Sequence, residues 1–266
     1  MSGLPLLSVR EVSLAFGALK VLDRASFDVR PGSIVGLIGP NGAGKTSLFN
    51  CISGHYRFES GDIVLSGRSL KGIDPERLAG LGMARTFQHP ALFPAMPVLD
   101  QVLLALDSRD PSGWIAEALG WPSARRRACV QARAALELLD QFELRSLVDR
   151  PVAALSLAER KGLEIVRALA LRPRLLLLDE PAAGLDERAQ WALGQMLRRL
   201  RDEARLAVLV IDHRIGWLRA LCDRLVAIQS GRVIANGPTD EVCAHPQVIV
   251  SYLDPGGRIS PFSAVS

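Results

Sequence analysis

Residues 34–47 of the chain read IVGLIGPNGAGKTS. The run from residue 33 to residue 38 is short and apolar, as in a buried strand, and a helical pattern begins at Lys45. Between them, Gly39 to Thr46 fit the pattern G-x-x-x-x-G-K-[ST] at every fixed position. Backbone N–H groups of such a loop close around phosphate oxygens, and the following helix adds its positive N-terminal dipole. The stretch therefore predicts a nucleotide-phosphate site between a strand and a helix.

Strand-like and helical runs surround this loop in an α/β order. Helical spacing without a convincing buried strand fills residues 89–168, whereas strand-like runs return at 174–178, 206–212 and 225–229. Parallel α/β order on both sides of a helical block indicates one core with an insertion. We predict an α/β P-loop NTPase core, with a parallel sheet and an antiparallel β subdomain, and an inserted helical subdomain. The predicted boundaries are 1–88 and 169–253 for the core, 89–168 for the helical subdomain and 254–266 for a C-terminal tail.

Composition restricts the class of protein. The chain has 266 residues, 48% hydrophobic and 23% charged, which is typical of a globular domain. Its net charge of +4 includes a cluster at residues 125–127, but no aromatic residues interleave with those arginines, so nucleic-acid binding is not expected. The N-terminus has no signal-peptide pattern, and the apolar runs fall far short of the ~20 residues of a membrane span. We expect a cytoplasmic protein that reaches a membrane through a partner.

A second candidate element is the segment LLLLDE at residues 175–180. Four apolar residues indicate a buried strand, and ligands bind at the carboxyl ends of parallel strands. Asp179 would hold Mg²⁺ through its water shell, and Glu180 could polarise the attacking water as a general base. The alternative is a strand that ends in acidic turn residues before Pro181.

These elements resemble, in their order along the chain, the ATP-binding subunits of ABC transporters. The resemblance runs from about residue 6 to residue 253 and includes Gln88, the segment around Ser156, residues 183–186 (AGLD) and His213. Residues 38–46, 85–89 and 178–185 are similar to one branch, the ATP-binding subunits of branched-chain amino-acid importers. The resemblance implies an ATPase that uses ATP and Mg²⁺, pairs with a second ATP-binding subunit and drives membrane permease subunits from the inner face of the cell membrane.

The resemblance also implies roles for individual residues. Gln88 would sense Mg²⁺ and the lytic water, and His213 would contact the γ-phosphate; Thr46 and Asp179 would be the further metal ligands. Phe16 would stack on adenine, although it could equally belong to the strand core. The residues implied to hold the nucleotide through the loop are Gly39, Pro40, Asn41, Gly42, Ala43, Gly44, Lys45, Thr46 and Ser47.

The family's signature segment normally reads Leu-Ser-Gly-Gly-Gln, and here residues 155–159 read LSLAE. Ser156 would cover the nucleotide of the partner subunit in trans, whereas Ala158 puts a methyl group where close backbone approach to phosphate is needed. Ser156 and Glu159 also form an S-x-x-E capping box, which is compatible with that role. Asp186 would communicate across the dimer interface or serve as a helix N-cap. From Ala158 we expect a heterodimer rather than a homodimer.

Two other functions compete with an importer ATPase. One is a binding-only regulatory subunit, which Ala158 supports and Glu180 and His213 oppose. The other is a soluble ABC-type ATPase acting on nucleic acid or ribosomes. That class usually carries two ATPase domains, a long coiled-coil insertion or a strongly basic arm, and this sequence has none of them.

Overall fold

The computed structural model describes residues 4–86, 92–108 and 122–252, with the side chains of residues 122–125 and 252 left out. The predicted site residue Gln88 and the predicted tail at 254–266 lie outside the described residues.

A four-stranded antiparallel sheet forms the first layer, in the order β2-β1-β4-β5. Its strands are β1 (Leu7–Phe16), β2 (Leu19–Val29), β4 (Ser60–Leu65) and β5 (Arg68–Ser69). Leu7 pairs with Val29 on one side of β1 and with Leu65 on the other. The sheet packs its apolar face against the helix Lys45–Ile52, because Val9, Phe27 and Ile63 share one hydrophobic cluster with that helix.

A six-stranded sheet carries the phosphate loop, in the order β10-β9-β3-β8-β7-β6. Its strands are β3 (Ile34–Ile38), β6 (Met83–Arg85), β7 (Leu175–Asp179), β8 (Ala207–Ile211), β9 (Arg224–Gln229) and β10 (Arg232–Pro238). All neighbouring pairs are parallel except β9 with β10. Every residue of β3, β7 and β8 is buried, which explains why these strands read as continuous apolar runs.

The described helices are α1 (Lys45–Ile52), α2 (Pro75–Leu78), α3 (Val98–Ser108), α4 (Pro122–Gln141), α5 (Leu157–Ala170), α6 (Glu187–Ala204), α7 (Ile215–Leu221), α8 (Thr239–Cys243) and α9 (Pro246–Tyr252). Two of them begin at side-chain caps that the sequence indicated, Ser156 for α5 and Asp186 for α6. Within the ranges that the structure covers, no helix is long and apolar enough to cross a bilayer.

The helices between the two halves of the large sheet have their own apolar core. Val98 and Val102 on α3, Leu139 on α4 and Leu163 and Val166 on α5 belong to one buried cluster. The opposite face of α5 packs on the large sheet through a second cluster, so α5 touches both. The predicted α/β fold class is confirmed, whereas β5, β10, α8 and α9 were not predicted.

Candidate nucleotide site

The site arises from the order of three parallel strands. β8 lies between β3 and β7, so the carboxyl ends of all three meet at one edge of the sheet. The phosphate loop follows β3, Glu180 follows β7 and His213 follows β8. Together these segments line an open cleft of about 350 Å³. The structure thus brings together predicted residues that lie far apart in the sequence, at the edge where α/β sheets bind ligands.

The loop is shaped by glycines. Gly44 has a φ of 102°, and a Cβ there would lie 2.8 Å from the carbonyl oxygen of Val21, so a side chain is excluded. Gly42 has a φ of 78°, and among the described atoms none lies within 4 Å of where its Cβ would be. Because the loop is open at Gly42 and packed at Gly44, it forms a cradle whose backbone N–H groups suit phosphate oxygens.

Lys45 is already folded into this cradle. Its buried ammonium donates to the carbonyl oxygens of Gly39 at 2.6 Å and Pro40 at 2.9 Å. Burial lowers the pKa of Lys45, and the negative charges of Glu180 and Asp179 oppose that change. A partly desolvated cation with exchangeable carbonyl partners fits a phosphate-binding role.

Glu180 and His213 form a direct pair. His213 Nε2 lies 2.6 Å from Glu180 Oε1, within hydrogen-bond distance. Glu180 has a φ of 50°, which a residue other than glycine adopts rarely and which clusters at functional sites. Its backbone N–H donates to Ile211 O at 2.8 Å, at the end of the neighbouring strand β8. The pair therefore lines the cleft just after two strands whose positions are fixed by the sheet.

Asp179 is buried at the end of β7 and is paired with Arg85 at the end of β6. Arg85 Nη2 donates to Asp179 Oδ2 at 3.1 Å. The Thr46 hydroxyl and the Asp179 carboxylate are hard oxygen donors, the kind that Mg²⁺ prefers in proteins. Thr46 lines the cleft, whereas the Asp179 side chain is buried against Arg85 and is not among the residues that line it.

Three further residues around the site were missed by the sequence reasoning. Arg85 pairs with Asp179; the Asp212 carboxylate accepts from the backbone N–H groups of Ala182 and Arg214; and Lys161 donates to the Glu180 carbonyl. The available signal was that a buried carboxylate needs a cation or several donors. The identity of those donors depends on strand order and on the packing of α5.

The remaining predicted residues lie elsewhere. Phe16 is 51% exposed and meets Tyr56 edge-to-face at 5.4 Å, so the strand-core alternative is wrong. The capping box is confirmed: the Ser156 N–H donates to Glu159 Oε2 at 2.6 Å, and the Glu159 N–H donates to Ser156 Oγ at 3.3 Å. Asp186 Oδ1 accepts from the Ala189 N–H at 2.8 Å, which confirms the N-cap. The stacking, trans-covering and interface roles stay predictions.

Comparison with known proteins agrees with this geometry. Residues 22–183 match the family model described as ABC transporter. The chain is 35% identical to the high-affinity branched-chain amino acid transport ATP-binding protein LivG of Salmonella typhimurium, over 94% of this chain and 98% of that protein. It is 33% identical to the corresponding protein BraF of Pseudomonas aeruginosa, over the same shares of 94% and 98%.

Similarity also extends to another solute class and to solved structures. The chain is 36% identical to the sulfate/thiosulfate import ATP-binding protein CysA of Bordetella bronchiseptica, over 92% of this chain and 66% of that protein. A nucleotide-free ATP-binding cassette from an ABC transporter superimposes with a TM-score of 0.81 at 27% identity, covering 94% of this chain and 100% of that one. An ABC transporter cassette in its ADP conformation gives 0.79 at 27% identity, covering 94% and 99%.

Proposed function

We propose that this chain, which belongs to the ABC transporter ATP-binding family and is an ATPase coupled to transport, energises an importer of branched-chain amino acids or related small solutes. Similarity to LivG and BraF over nearly the full length of both proteins supports this class of solute. The observation that carries the hydrolytic part is the 2.6 Å contact between Glu180 and His213 beside the phosphate loop.

Each group of the proposed site has its own role in ATP hydrolysis. The loop N–H groups and Lys45 hold the β and γ phosphates, which positions the terminal phosphate at the mouth of the cleft. Glu180 accepts the proton of the attacking water, and His213 holds that carboxylate and contacts the γ-phosphate. Thr46 and Asp179, with Gln88, would hold Mg²⁺, which neutralises charge that develops on the phosphate oxygens.

The subunit works as half of a nucleotide-sandwich dimer on the inner face of the cell membrane. Ser156 covers the nucleotide held by a second ATP-binding subunit, and Asp186 lies at the interface between the two. ATP favours the closed dimer because its affinity for that state is higher, and hydrolysis releases it. The helical subdomain, residues 89–168, passes the motion to membrane permease subunits. The second ATP-binding subunit is a different chain, because Ala158 alters the surface with which this chain covers the partner's nucleotide.

The test is Glu180→Gln in the complex purified with this chain. We expect ATP binding and the closed dimer to persist while steady-state turnover falls about 100-fold or more, since a positioned general base contributes that much. Glu59→Gln, at an exposed glutamate, is the matched control and should turn over ATP normally. Rapid hydrolysis by the Glu180→Gln complex would refute the role of this residue as the base. Persistent single-turnover hydrolysis by the unmodified complex distinguishes this function from a binding-only subunit.

A further inference from the structure

Lys161 links the helix that starts at the signature segment to the main chain of Glu180. It lies near the start of α5, five positions after the cap residue Ser156, and is half-buried. Its Nζ donates to the carbonyl oxygen of Glu180 at 3.1 Å. The contact joins the helical part of the chain, where α5 contributes to the helical core, to the end of β7.

The Glu180 main chain needs such support. Its φ of 50° is in the left-handed region, and such a conformation persists only where the surroundings over-determine it. The N–H group is held by Ile211 O at 2.8 Å, and the carbonyl accepts from the Ala183 N–H at 3.2 Å as well as from Lys161. The Ile211 contact comes from β8, and the Ala183 contact comes from the same turn as Glu180. Lys161 is the donor that comes from α5.

Rotation of this peptide moves the carboxylate of the same residue. The side chain is held 2.6 Å from His213 Nε2, so a small tilt of the main chain would lengthen that contact. Misplacement of a reacting group by about 1 Å can cost a large factor in rate, whereas phosphate binding by the loop on β3 would be untouched. Loss of the Lys161 contact should therefore slow the chemical step and leave phosphate binding unchanged.

We propose that Lys161 is a positioning residue, which holds the Glu180 main chain from α5 so that the general base and the helix bearing Ser156 move together. The helix that covers the partner's nucleotide is thereby tied to the base of this subunit's own site. The inference rests on the proposed role of Glu180 as the general base.

The experiment compares Lys161→Met with Lys161→Arg in the complex purified with this chain. Lys161→Met should lower kcat about tenfold, because a charged donor is lost from a strained main chain, with KM for ATP within about twofold. Lys161→Arg should restore most of the rate, since a guanidinium can donate to the same carbonyl. Lys71→Met, the same change at an exposed lysine of the antiparallel sheet region, is the control and should match the unmodified complex.

Each outcome distinguishes the inference from the proposed function. An unchanged kcat for Lys161→Met, with Glu180→Gln inactive, overturns the positioning role and leaves the proposed base intact. A parallel loss of ATP affinity and of the thermal unfolding midpoint overturns it in favour of a merely structural role. Rapid turnover by Glu180→Gln overturns both. A lower kcat with unchanged ATP binding and rescue by arginine supports the inference.

Discussion

Arg85 shows how single contacts shape this site. Its guanidinium donates to Asp179 Oδ2 at 3.1 Å, Asn50 Oδ1 at 2.8 Å and Ser53 Oγ at 2.6 Å. The two charged side chains are 9% and 1% exposed, so neither charge is solvated by bulk water. A planar fork with several donors can serve three acceptors at once, which a lysine cannot do in the same geometry. Arg85 thus joins α1, which follows the phosphate loop, to the carboxylate proposed to hold Mg²⁺.

Arg85→Met should destabilise the fold by about 3 kcal/mol, because the Asp179 charge stays buried without this guanidinium. Urea unfolding at pH 7 measures the change. Arg199→Met is the matched control, since the Arg199–Glu203 pair is 62% and 65% exposed, and it should cost at most about 0.5 kcal/mol. Equal losses for the two variants would contradict the importance of burial.

The difference between these residues also explains what the sequence could predict. Lys45, Glu180 and His213 follow apolar runs or a glycine-rich motif, so local pattern and resemblance were sufficient to select them. The Arg85–Asp179 pair depends on β6 lying beside β7, although a whole helical insertion separates them in the chain. No local pattern encodes that adjacency.

Among the elements, α5 combines three demands in one helix. The signature segment leads into its first turn, one face contributes to the helical core, and Glu164 is half-buried on it. Burial raises the pKa of Glu164 from its ordinary 4.5 to about 7, although Lys161, Arg167 and Arg160 oppose the rise. The folded state therefore binds a proton at pH values where the unfolded chain has lost it. Stability falls as pH rises from about 4.5 to about 7 and stays reduced above that range.

Glu164→Gln should remove this pH dependence, because an amide carries no charge to desolvate. At pH 8 we expect the free energy of unfolding to rise by about 2 kcal/mol, with little change near pH 5. Denaturant unfolding between pH 5 and pH 8 measures it. Glu59→Gln, at an exposed position, should leave the pH profile unaltered. A destabilised Glu164→Gln at pH 8 would mean that the ion pairs of this glutamate outweigh its burial.

The failure to predict β10 has a physical reason. β10 reads RVIANGP, is half-exposed along most of its length and pairs only with β9 among the described strands. An edge strand with Asn, Gly and Pro lacks both the continuous apolar run and the clean alternation on which prediction relies. By contrast, β3, β7 and β8 are central and buried, and their apolar runs predicted them.

For the molecule as a whole, the two surfaces of the proposed composite site come from different parts of the chain. The large sheet offers the phosphate loop and the Glu180–His213 pair, whereas α5 offers Ser156 at its exposed start. Leu157, beside Ser156, is 43% exposed and packs toward Gly184, where an added Cβ would lie 2.7 Å from Leu157 Cδ2. An apolar side chain and the Ala158 methyl thus occupy the surface that would meet the partner's nucleotide. This surface supports the proposal of two unequal sites in a heterodimer.

Ala158→Gly restores close backbone approach at that surface. In the complex purified with this chain, steady-state ATPase activity should about double, because a backbone N–H that reaches phosphate would make the second site hydrolyse as well. Ala204→Gly, at the exposed end of α6, introduces the same flexibility away from the interface and should leave the rate unaltered. In a Glu180→Gln background, Ala158→Gly should raise the residual ATPase activity, because the site that this surface covers has the partner's own base. An unaltered rate in both backgrounds would mean that Ala158 does not weaken a site, and the argument for unequal subunits would lose its basis.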